Sequence, residues 1–171
     1  MSRGYFVFAQ GKEYIRMAYA LALSIKNTQE INSVCVAIDE KDTVPTEYAK
    51  VFDHVVRVRN VGLKDPMANE WQIWDLTPYK ETIHVEADML FTTNIDWWWQ
   101  DLQKHEIFFT SKVYDYRGHV AQSNFYRKHF DKMNLPKLYN GLYYFRYTDT
   151  AHKFFKKAKE VSARYKPYAD Y

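Results

Sequence analysis

Short apolar runs that alternate with amphipathic helical segments constrain this chain more than any other feature. Tyr5–Ala9 is an aromatic and aliphatic run of strand length, and Gln10-Gly11 turns the chain. Glu13–Asn27 then carries Ile15, Ala18, Tyr19, Ala22 and Ile25 at helical spacing. Val34–Ile38 is a second strand ending at Asp39, Thr46–Phe52 a short helix, and Val55–Val58 a third strand. Strands that are apolar almost throughout need cover on both faces, and helical crossovers supply it while keeping the strands parallel. The expected fold is therefore α/β, a mostly parallel sheet flanked by helices. Such sheets bind ligands beyond the carboxyl ends of their strands. Ala9-Gln10-Gly11, Asp39 and Glu86-Ala87-Asp88 all fall there.

The second half continues the pattern less regularly. Residues 60 to 70 form a loop with Gly62 and Pro66, and Asn69–Leu76 reads as a helix carrying Trp71 and Trp74. Thr77-Pro78 ends it before an apolar strand that leads to Glu86. Asp96 is placed to cap the helix that follows, and Ile107–Ser111 reads as a strand. Leu142–Tyr147, led by Asn140-Gly141, is another strand, and His152–Tyr165 is a basic amphipathic helix. Residues 112 to 136 fit no simple period.

Composition sets the outer bounds. The 171 residues are 47% hydrophobic and 18% aromatic with few Gly and Pro, which fits one folded domain, 1–171, and argues against disorder. A net charge of +3 suits phosphate-bearing ligands without making a nucleic-acid-binding tail. Cys35 is the single cysteine, which leaves no internal disulfide and no cysteine-based zinc site. No apolar run reaches the roughly 18 residues of a membrane span, and no charged region precedes an apolar leader, so a soluble, cytoplasmic chain is expected.

Glu86 and Asp88 carry the chemistry. Alternate residues of a strand share a face, so both carboxylates are expected on one side and Ala87 on the other. Two hard oxygen ligands at the end of a buried strand suit Mn²⁺ or Mg²⁺ bridging a diphosphate. His84, two residues earlier, reads as a core residue rather than a ligand. The run Trp97-Trp98-Trp99 covers about 200° of a helix, so one or two of its rings are expected in the core and the rest at the domain edge.

These residues stand in a familiar order. Trp74-Asp75-Leu76-Thr77-Pro78-Tyr79, then Val85-Glu86-Ala87-Asp88-Met89-Leu90, then Asn94-Ile95-Asp96 resemble glycosyltransferase family 8, the glycogenin-like and galactosyltransferase-like enzymes of the GT-A fold. Their pattern is W-x-L-T-x-Y, D-A-D-x-L and N-I-D. Val51-Phe52-Asp53 and Tyr139-Asn140-Gly141-Leu142 are similar to further motifs of that family, and the likeness spans about residues 4 to 160. It implies a Rossmann-like domain for nucleotide-diphospho-sugars and a retaining transfer of a hexose from a donor, usually a UDP-sugar, to an acceptor. Glu86 and Asp88 would hold the metal, and Tyr14 would stack on the base. Ala9 and Gln10 would line the base pocket, and Ala87 would lie near the ribose. Asn140 and Gly141 would face the donor sugar or the acceptor, which could be a glycan, a protein or a nucleic acid. Oligomers are compatible with this reading.

The chain departs from the pattern at three places. Glu86 stands where the family has Asp. Glu70 stands where it commonly has a phosphate-binding Lys. The later D-Q and H-x-x-G-x-x-K-P segments, which complete the metal shell and the phosphate site, have no counterpart before Tyr171. A C-terminally shortened member, a minimal relative or a variant that fills those roles differently is therefore expected, with Lys64, Arg117, His119 or Lys137, or a neighbouring subunit, as the source of a substitute cation. The rival readings are a nucleotide-sugar-binding domain without turnover and a DNA-modifying sugar transferase. The basic C-terminal helix and the abundant aromatics motivate the latter.

Overall fold

In a computed structural model of the chain, residues 2–59, 66–111, 113–114, 117–120, 132–136 and 138–164 are described. A six-stranded sheet organises them. Strands β1 (Arg3–Phe8), β2 (Val34–Asp39), β3 (His54–Val58) and β4 (Glu81–Val85) run parallel in the order β3-β2-β1-β4. Strand β6 (Tyr139–Arg146) lies antiparallel to β4, and β5 (Ile107–Thr110) lies antiparallel to β6 at the edge. The expected α/β architecture with a mostly parallel sheet is what the chain adopts.

Each face of the sheet has its own core. Helix α1 (Lys12–Thr28) buries Ile15, Ala18, Leu21, Ala22 and Ile25, the helical stripe read from the sequence with Leu21 in place of Tyr19. They pack on Val7, Val36, Ile83 and Val85 together with Trp99 and Leu102 of α4 (Trp97–Leu102). Full burial of each aliphatic side chain contributes about 1.5–3 kcal/mol. The opposite face packs Phe6, Cys35, Tyr143 and Phe145 against Ile73 and Trp74 of α3 (Ile73–Leu76) and against Phe155 of α5 (Asp149–Arg164). Cys35 is buried there, as expected.

Several boundaries differ from the sequence reading. Thr46–Phe52 is helical only over α2 (Thr46–Ala49), because Val51 and Phe52 drop into the core and Asp53 is held by its amide on the carbonyl of Val34 at 2.9 Å. Asn69–Leu76 is a 3₁₀ segment, Pro66–Gln72, followed by the single turn of α3. Asp96 does not cap α4. Its carboxylate instead accepts the amides of Glu30 at 2.7 Å and Ile31 at 3.2 Å, and so ties the α4 approach to the loop after α1. Of the three tryptophans, Trp99 is fully buried, Trp98 half-buried and Trp97 exposed. Most of residues 112 to 136, with Lys64 and Lys137, lie outside the described residues.

Candidate functional site

Strand polarity gathers the candidate residues at one edge of the sheet. The carboxyl ends of β1 and β4 open there, and because β6 runs antiparallel, its amino end arrives beside them. Val85 pairs with Leu142, and one residue further the Glu86 amide donates to the Gly141 carbonyl at 3.0 Å.

Glu86 is not a strand residue. β4 ends at Val85, and Glu86-Ala87-Asp88 forms the turn that leaves it, closed by the Met89 amide on the Glu86 carbonyl at 3.2 Å. The shared-face argument for a continuing strand therefore does not apply to Asp88, yet the two carboxylates still interact. The Glu86 carboxyl is half-buried and its pKa is raised, chiefly by burial, with the Asp88 charge adding to the rise. The Tyr139 hydroxyl donates to Glu86 Oε2 at 3.1 Å and opposes it. Asp88 is exposed, and Ala87 is buried in the α1-side core.

Gly141 makes this arrangement possible. A Cβ at position 141 would lie 2.5 Å from Glu86 Oε2 and 2.5 Å from the Tyr139 ring. The carboxylate occupies the space that a missing side chain leaves. In the sequence Tyr139 stands only as part of a motif, with no site role. Its signal is the aromatic two residues before Gly141, on the same strand face.

Asn140 is exposed, and its amide donates to Glu70 Oε2 at 2.5 Å. Glu70, where the resembled family carries a cation, thus reaches the edge as a carboxylate. His84 is buried between Phe8 and Tyr143 with neither ring nitrogen hydrogen-bonded. Burial pushes its pKa down to about 3, so it is a neutral core residue.

On the α1 side, Gly11 has φ 100°, a left-handed conformation that glycine adopts without strain, and so turns β1 into α1. Its amide donates to Asp42 Oδ2 at 2.6 Å. Ala9 is buried and bonds to the Ala37 carbonyl at 2.8 Å, and Gln10 is half-buried at the turn. Tyr14 is 56% exposed in the first turn of α1, on the side of Leu21 and of Ser24, whose hydroxyl accepts the Phe91 amide. The hydrogen-bond partner of Glu86 is Tyr139, not Tyr14.

The donor set fits a hard divalent cation. Two neighbouring carboxylates repel each other, and among the described residues no lysine or arginine pairs with either. Oxygen ligands of this kind suit Mn²⁺ or Mg²⁺. Among the described residues no group of three or more His, Cys, Asp or Glu could hold a metal ion.

No family model matches the chain, and no curated protein matches it. Solved structures do. The glycosyltransferase GlyE of Streptococcus pneumoniae aligns with TM-score 0.60 and 10% identity, covering 96% of this chain and 38% of that one. The bifunctional glycosyltransferase WbbM in its apo form aligns with TM-score 0.61 and 11% identity over 96% and 34%. Core-mannan synthase A of Aspergillus fumigatus, in a Mn/GDP form, aligns with TM-score 0.57 and 8% identity over 95% and 65%. The chain spans 34–65% of the length of these three proteins. At such identity the likeness is one of fold. The chain shares its α/β fold with these glycosyltransferase structures, and the matches do not single out family 8. No helix among the described residues is long and apolar enough to cross a membrane.

Proposed function

We propose that this chain is the nucleotide-sugar-binding domain of a metal-dependent glycosyltransferase. One observation carries the reading: Glu86, fixed by Tyr139 and fitted over Gly141, sits beside Asp88 at the ligand-binding edge of a GT-A-type sheet with no cationic partner among the described residues. Glu86 and Asp88 would hold Mn²⁺ or Mg²⁺, which supplies charge neutralisation on the leaving diphosphate. Tyr14 stacks on the base from the exposed first turn of α1, with Ala9 and Gln10 lining the base pocket and Ala87 placing its backbone near the ribose. Asn140 and Gly141 border the transferred sugar.

The reaction breaks the bond between the sugar C1 and the diphosphate oxygen, and the electron pair leaves with the diphosphate. An acceptor hydroxyl oxygen bonds to C1 and releases its proton to solvent. UDP release from UDP-glucose, UDP-galactose and UDP-N-acetylglucosamine with Mn²⁺ tests the reading. Release that Asp88→Ala abolishes supports it, and no release or binding of any UDP compound overturns it.

Binding without efficient turnover is the second reading. Glu70 places a negative charge where a phosphate-holding cation would serve. Removing one such electrostatic stabiliser typically costs about 10²–10³ in rate. Binding of UDP with Mn²⁺ but negligible release from the sugar donors would favour it.

A further inference from the structure

A groove of about 340 Å³ runs from Asn140 along α5 on the α3–α5 face of the sheet. Phe109 and Phe154 present ring surface to it beside the buried Tyr143 and beside Trp71, whose ring carries the Lys159 ammonium at 4.8 Å, while Glu70, Asn140 and Ser162 line it with polar groups. Phe154, Ala158 and Ser162 recur every four residues and form the α5 wall. Phe154 is 40% exposed and packs on Phe109 and Phe155.

We propose that this groove is the acceptor subsite and that it takes a neutral oligosaccharide, a reading that rests on the glycosyltransferase assignment above. Position is the first argument. An acceptor hydroxyl must come within bonding distance of the donor C1, so its site must be continuous with the donor site. Asn140 belongs to the groove, and the next residue, Gly141, lies under the Glu86 carboxylate. Chemistry is the second. A sugar ring has C–H faces that lie flat on aromatic rings and an edge of hydroxyls that both donate and accept. The groove offers ring faces within it and, at its mouth, the carboxylate–amide pair of Glu70 and Asn140, joined at 2.5 Å. Charge is the third: the Glu70 carboxylate lines the groove and the Lys159 ammonium sits 4.8 Å from the ring of Trp71, so neither sign of charge dominates and a neutral ligand fits. The volume lies in the range of about 300–1,000 Å³ usual for small-ligand sites.

Calorimetric titration of maltohexaose, cellohexaose, xylohexaose and chitohexaose into the whole chain tests this directly. At least one saccharide should bind. Ala158→Trp, which fills the groove from α5, should weaken that binding at least about tenfold while UDP–Mn²⁺ affinity is unchanged. Ser162→Trp, one turn further on, should do the same and serves if the first variant misfolds. Binding by none of the four saccharides overturns the proposal, as does binding that both variants leave unchanged. Capture of an apolar peptide or a detergent micelle in place of any saccharide overturns it too. Loss of UDP binding in the wild-type chain sinks the glycosyltransferase reading instead, and the saccharide titration is read independently of it.

Discussion

Glu86 Oε2 lies where Gly141 would carry a Cβ, 2.5 Å from that ideal position, while the two backbones are joined by a 3.0 Å hydrogen bond. The tight fit couples the candidate metal ligand to the entry of β6. Gly141→Ala forces the carboxylate or the Tyr139 ring aside, and overpacking of this kind costs about 1–3 kcal/mol. Urea denaturation should show that loss, and calorimetry should show weaker binding of UDP with Mn²⁺. Unchanged stability and unchanged binding would mean that the Glu86 position is not held by this contact.

Tyr139→Phe removes the hydroxyl that donates to Glu86 and leaves the ring. The Glu86 pKa should rise further, because this hydrogen bond is what opposes the effects of burial and of Asp88. Carboxyl-detected NMR titration of the variant against wild type reads the shift, and a fall would contradict the assignment of the bond.

The raised pKa of Glu86 fixes a sign for stability. A carboxyl that holds its proton more tightly when folded contributes stability that is present below its ordinary value, 4.5, and is lost as pH rises through the folded value. Glu86→Gln should therefore stabilise the apo chain at neutral pH, and the gain should vanish in acid. The same substitution should weaken Mn²⁺ binding at neutral pH. Denaturation curves at two pH values separate the two effects.

His84 acts in the opposite direction on the acid side. Its folded pKa of about 3 lies below the ordinary 6.5, so the unfolded chain binds the extra proton first. Stability tied to His84 is complete above pH 6.5 and drains as pH falls through that window toward 3. His84→Leu, an apolar fill between Phe8 and Tyr143, should flatten the slope of stability against pH in the same window. An unchanged slope would mean that His84 does not titrate between the two states.

Tyr14→Ala should weaken UDP binding by about 1–3 kcal/mol, the range for a base stacked on an aromatic ring. Tyr14→Phe should cost little. Equal loss in both variants would assign the effect to the hydroxyl.

The sheet was legible because β1, β2 and β4 are buried along nearly their whole length and so read as unbroken apolar runs. The α1 stripe was legible because one helix face alone meets the core. Elements set by distant partners were not. Asp96 looks like a cap in sequence, yet its carboxylate is spent on Glu30 and Ile31, more than sixty residues away along the chain. The site was legible in part. The Glu86–Asp88 pair and the Asn140-Gly141 dipeptide stood out as motifs, whereas the fit of Glu86 over Gly141 depends on β6 running antiparallel to β4, and nothing in the local sequence fixes that direction. The bond between Glu70 and Asn140 likewise joins a 3₁₀ segment to a strand through the fold alone.

The central claim is that Glu86 and Asp88 bind a divalent cation together with a nucleoside diphosphate. Calorimetric titration of UDP into the wild-type chain and into Asp88→Ala, each with and without Mn²⁺, addresses it most directly. UDP should bind the wild type far more tightly with Mn²⁺ than without, Asp88→Ala should lose that enhancement, and Glu86→Asp should keep it. UDP binding that is indifferent to Mn²⁺, or equal enhancement in wild type and Asp88→Ala, would contradict it.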